Sequence, residues 1–272
     1  MTFNQSRIFQ FFKYAVYSLL AINVYVFFAE EHAAAALQFA DGIRLGQLIE
    51  AYPSAIDTAA WLILLLMFEL ETYVLDDDTT STPTVRLLQV TRAVCYAIIV
   101  YAFYGYITNL MFHLDATPAE AVTNLCALGN GWSYAIDLDE YAAITAETCR
   151  SFSSATAFFQ LPGVPAVVDA DGLNAITALA WVDVINAAVW LLVVVSLEVE
   201  VALQERGRNE GAILTTNTVL KVVLYAILLM AAIFWGMKGD FVDFWDAFLW
   251  LVAFVFIELN VFDWRQEASA SA

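Results

Sequence analysis

Basic and reactive residues are scarce in this chain. Only 11 of 272 residues are lysine or arginine. Charged residues make up 15%, against about 25% in a typical soluble domain. With so few bases there is no basic patch, which excludes nucleic acid as a partner. Histidine occurs twice, as His32 and His113, and cysteine three times. A haem held by two histidines needs both on facing helices, and His32 reads as a loop residue. No haem or other cofactor is therefore expected. The chain also lacks His-Glu-x-x-His, Cys-x-x-Cys, a Walker lysine loop and a Gly-rich dinucleotide turn. Its two Glu-x-Glu segments splay their carboxylates apart on a helix, which argues against a metal pair. No catalytic set and no metal site emerge, so the chain is not expected to be an enzyme. Finally, no series of ten-residue alternating segments is present, which excludes a transmembrane β-barrel.

What is abundant is apolar sequence in long blocks. The chain is 61% hydrophobic, against about 45–50% in soluble domains. A bilayer-crossing helix needs about 20 mostly apolar residues. Six segments qualify: 8–29, 55–75, 86–111, 176–203, 216–237 and 242–264. Only helices and closed barrels satisfy their backbone groups in hydrocarbon, so the expected fold is an all-α integral membrane protein with six transmembrane helices. The first segment resembles a secretory signal in its basic start. Its apolar run is long for such a signal, and it shares a pattern with two later helices, so a retained helix is expected.

Basic residues set the orientation. With the N-terminus inside, eight bases fall on the inner side, from Arg7 to Arg265. Arg44, Arg150 and Lys238 fall outside. That asymmetry obeys the positive-inside rule and implies a bacterial-type inner or plasma membrane, with both termini cytoplasmic. The loop 112–175 is then periplasmic or extracellular. Cys126 and Cys149 both lie in it, where an oxidising compartment permits a disulfide. Cys95 lies inside a helix and reads as a small apolar residue. The net charge of −18 is concentrated on the outer side, where it attracts cations or simply keeps the surface hydrated.

The chain also repeats itself. Helices 2, 4 and 6 carry Asp57-x3-Trp61-x7-Glu69-x-Glu71, Asn186-x3-Trp190-x7-Glu198-x-Glu200 and Asp246-x3-Trp250-x7-Glu258-x-Asn260. Helices 1, 3 and 5 carry Lys13-x3-Tyr17, Arg92-x3-Tyr96 and Lys221-x3-Tyr225. A spacing of four places both side chains on one helix face. The expected unit is a hairpin of an outward helix with a base and an inward helix with an acid. Residues 1–82, 83–210 and 211–265 would form three tandem hairpins, with pseudo-threefold symmetry about the membrane normal and a disordered tail at 266–272. Mitochondrial carriers have the same helix and repeat count, but their Pro-x-[Asp/Glu]-x-x-[Lys/Arg] signature is absent.

Lys13, Arg92 and Lys221 share a depth with Glu69, Glu198 and Glu258, about 10 Å from the inner boundary at 1.5 Å per residue. A charge at a helix centre costs on the order of 2.5–3.5 kcal/mol on the insertion scale, so pairing is expected: Lys13 with Glu69, Arg92 with Glu198 and Lys221 with Glu258. Tyr17, Tyr96 and Tyr225 stand ready to donate to the same carboxylates. Glu71, Glu200 and Asn260 are offset by about 200° around their helices and would be surplus, open to a proton or cation. Trp61, Trp190 and Trp250 would pack between hairpins. Two functions remain. One is a non-transporting membrane module, a complex subunit, scaffold or sensor held by Glu–Lys/Arg pairs. The other is a conduit for protons or monovalent cations with the charged layer as its inner gate. The expected partners are the lipid bilayer and either a membrane protein or a second copy of the chain.

Overall fold

A computed structural model describes residues 3–73, 82–205 and 212–254. The fold is mostly helical. The long helices are α1 (Phe3–Gln38), α3 (Pro53–Tyr73), α4 (Thr82–Leu114), α5 (Ala170–Glu205) and α6 (Ala212–Lys238). A short α2 (Leu48–Ala51) precedes α3, and residues 241–254 are helical too. Five of these helices are long and apolar enough to cross a membrane: Gln10–Gln38, Pro53–Glu71, Pro83–Leu114, Ala170–Glu200 and Ala212–Lys238. The sixth expected span begins in the helix at 241–254, and the rest of it lies outside the described residues.

The first correction is to the expected all-α class, because residues 117–169 contain a five-stranded sheet. Its strands are β1 (Thr117–Pro118), β2 (Ser133–Ala135), β3 (Tyr141–Ala143), β4 (Phe158–Gln160) and β5 (Ala166–Asp169). They lie in the order β1-β4-β5-β2-β3, with β2 and β5 parallel and the other pairs antiparallel. Strands of two to four residues are too short to show an alternating pattern. They are stable here because β5 is central and its Val167 and Val168 are fully buried with Phe158 and Leu161. The Pro162-Gly163-Val164-Pro165 segment, whose Pro and Gly residues mark a turn, closes β4 onto β5, with the Leu161 N–H donating to the Ala166 carbonyl at 3.0 Å. Gly163 takes φ +72° there, a conformation that glycine adopts without strain. Residues 33–52, whose mixed apolar and polar sequence reads as a short amphipathic helix on the outer surface, do not form one separate helix. Instead α1 continues through Gln38, and a 3-10 turn at Leu45–Gln47 leads into α2.

The chain divides into two compact units, Met1–Val24 with Ala188–Ala272, and Tyr25–Ala187. In the second unit α3 packs along α4, and α2 lies against both. Gly105 permits this approach: a Cβ there would fall 2.6 Å from the Ile49 carbonyl oxygen and 3.1 Å from the Pro53 Cβ. Pro53 opens α3, where its missing N–H is no loss. The next two donors of that helix are satisfied from α1. The Glu31 carboxylate accepts from the Ser54 N–H at 2.6 Å and the Ala55 N–H at 3.1 Å.

Candidate functional site

Charged and polar side chains inside apolar helices are the natural candidates for function. In the unit Tyr25–Ala187, Arg92 on α4 donates to the Glu71 carboxylate on α3 at 2.5 Å. The two side chains are 41% and 32% exposed. In the other unit, Lys221 on α6 contacts the Glu200 carboxylate on α5 at 2.8 Å, with side chains 9% and 4% exposed. This corrects the sequence reading, which set Glu71 and Glu200 aside as surplus acids. Each is an ion-pair partner of the base on the next helix. Each observed pair joins the base to an acid of the preceding helix, α3 for Arg92 and α5 for Lys221, so helix-wheel offset within one helix did not decide the pairing.

Glu198, expected beside Arg92, lies on the exposed side of α5. Glu69 and Lys13 are buried, at 7% and 2%. Glu258 and Asn260 lie outside the described residues. Tyr17 is buried, and Tyr96 and Tyr225 are half-buried. Trp61, Trp190 and Trp250 are all buried, as a packing role requires. Trp190 meets Phe254 with ring centroids 4.5 Å apart.

Two polar clusters escaped the sequence reading. The first flanks the Lys221–Glu200 pair. Ser196 Oγ donates to Asn217 Oδ1 at 2.9 Å, and Asn217 Nδ2 donates to the Ser196 carbonyl at 3.0 Å. Ser196 and Glu200 share a face of α5, as Asn217 and Lys221 share one of α6. The four side chains form a buried polar seam between two helices. The signal was present: a serine and an asparagine sit inside apolar runs, each four residues before the charged member. The second cluster centres on Asp246, which accepts from Asn23 Nδ2 at 2.9 Å and from the Trp250 side chain. The Asp-x3-Trp spacing thus places an acceptor one turn from the indole donor.

In the unit Tyr25–Ala187, Glu31, Ser54, Asp57 and Asp183 gather around Tyr106, whose hydroxyl donates to Asp57 Oδ2 over a long 3.4 Å. The two histidines sit in helices, which corrects the loop assignment of His32. His32 Nδ1 hydrogen-bonds the Tyr52 hydroxyl at 2.9 Å, and His113 Nδ1 meets the Asn109 carbonyl at 2.9 Å.

The sheet is fastened to α5 by Asp169. Its carboxylate accepts from the Gly172 N–H at 2.8 Å, capping the helix. It also accepts from Ser153 Oγ and from Tyr134. Burial alone would raise its pKa, but the hydrogen bonds from Ser153 and the Gly172 N–H outweigh burial and hold it below the ordinary 3.8. Burial, and then the Asp169 charge, push Tyr134 up to about 12. Burial pushes Tyr141 up to about 12 as well, partly offset by the bond from Gln38 Nε2 at 3.0 Å. Cys126 and Cys149 form a disulfide across this segment.

Helices of this length and apolarity, with charges paired between neighbours, indicate a membrane-associated helical protein carrying a disulfide-closed sheet. No family model, curated protein or solved structure matches the chain.

Proposed function

We propose that this chain is a non-transporting membrane module, a subunit or scaffold that holds its disulfide-closed sheet on the outer face of a bacterial-type inner membrane. In this reading it crosses six times with both termini cytoplasmic. The observation that carries the proposal is the Lys221–Glu200 pair, closed at 2.8 Å and almost fully buried beside the Ser196–Asn217 bonds. Polar groups arranged this way fix which helices meet and in what register, at some expense in stability. The three-hairpin repeat belongs to the same proposal. Its support is that Arg92–Glu71 and Lys221–Glu200 both join residues 21 apart across an inner connection. A module of this kind would act by joining a membrane-protein partner or a second copy of itself.

The conduit for protons or monovalent cations draws its support from the acids around Tyr106, which would form an outer vestibule. Reconstitution into proteoliposomes decides between the two. The module reading expects no proton, sodium or potassium flux under an imposed gradient. Wild-type flux that disappears in Glu200→Gln or Glu71→Gln would overturn it.

A further inference from the structure

We infer that the connection between α1 and α3 is immersed in the outer leaflet, with phospholipid covering the surface formed by Leu45, Leu48, Tyr101 and Tyr104. This rests on the membrane-spanning reading. The connection exposes leucines beside polar residues such as Asp41, Arg44 and Gln47. Leu45 is 88% exposed and Leu48 40%, in a segment too short to hide them. Gly42, at φ +95°, turns the chain out of α1. The Arg44 N–H is tied to Gln47 Oε1 at 3.2 Å, which makes the turn at Leu45–Gln47 a defined structure.

Two contacts fix the height of the connection against α4. The Tyr101 hydroxyl donates to the Gly46 carbonyl at 3.3 Å. The Ile49 carbonyl lies over Gly105, where only a missing side chain admits it. Tyr101 and Gly105 lie nine and thirteen residues beyond Arg92, or about 13 and 20 Å along the helix. With Arg92 about 10 Å inside the inner boundary, a hydrocarbon layer of about 30 Å ends near Gly105. The connection therefore occupies the outermost part of that layer rather than the water above it, while α4 continues to Leu114. Tyr101 and Tyr104 stack with centroids 6.0 Å apart and are 46% and 49% exposed beside it. Amphipathic rings at this level are characteristic of a membrane interface. Arg44, also exposed, has a stem long enough to reach outward to a lipid phosphate.

The test uses spin labels on the full chain in phospholipid vesicles, with buried Cys95 replaced by alanine and the native disulfide kept. Single cysteines are placed by Leu45→Cys, Ile63→Cys on the exposed side of α3 and Asn130→Cys in the turn before β2. The Leu45 label is expected to collide freely with oxygen. Its collision rate with a water-soluble nickel chelate should be about tenfold below that at position 130, as at an immersed interfacial site. A Leu45 label as open to the chelate as position 130, with the Ile63 label still shielded, would overturn this inference alone. Chelate access at both positions 45 and 63 would overturn the membrane-spanning reading with it.

Discussion

Replacing Lys221 with methionine tests whether the helix pairing rests on charge. Methionine keeps much of the stem and removes the ammonium that faces Glu200 at 2.8 Å. The carboxylate side chain it leaves is 4% exposed. Breaking a buried pair by removing one partner costs on the order of 3–5 kcal/mol, because the remaining charge loses its compensation. Adding Glu200→Gln removes that orphaned charge, so Lys221→Met/Glu200→Gln should recover more than half of the loss. The Arg92–Glu71 pair is the internal contrast. With side chains 41% and 32% exposed, it falls in the class worth about 0–1 kcal/mol, and Arg92→Met should cost no more than that. The assay is reversible unfolding of the purified protein in mixed micelles, with a double-mutant cycle at each pair. Single-mutant losses at positions 200 and 221 that add within about 0.5 kcal/mol would refute the reasoning, since uncoupled residues add.

Three further outcomes follow. Removing the Cys126–Cys149 bridge by Cys149→Ser opens a loop of sequence separation 23, which chain-entropy arguments value at about 3 kcal/mol; limited proteolysis should cut the outer segment much faster while leaving the helices intact. Asp169 has a folded pKa below 3.8, so its stabilising effect is complete above that pH and fades as pH falls through the lowered value. Asp169→Asn should flatten the acid limb of the stability curve below about pH 4, and an unchanged limb would remove Asp169 from the account. Gly105→Leu should destabilise the protein by at least about 1–3 kcal/mol through overpacking against Ile49 and Pro53, read as a lower melting temperature in detergent.

The long helices were legible in the sequence because burial in lipid demands uninterrupted apolar runs, and composition records that demand directly. The Cys126–Cys149 bridge was legible for a different reason: both cysteines fall in the one long loop, away from the apolar runs. The sheet was not legible, since its two- to four-residue strands gain their partners from distant positions such as Ser133 and Ala166. The helix ends were missed as well: α1 runs on to Gln38 and α5 starts at Ala170, beyond the bounds 8–29 and 176–203 read from the sequence.

The sequence by itself determined which residues carry charge inside apolar helices and the spacings that recur among them. Which acid meets which base was decided only by tertiary structure. Helix periodicity fixes which side chains share a face of one helix, but not which helix that face meets. That Arg92 meets Glu71 and Lys221 meets Glu200 follows from the packing of α4 on α3 and of α6 on α5, which no single helix encodes.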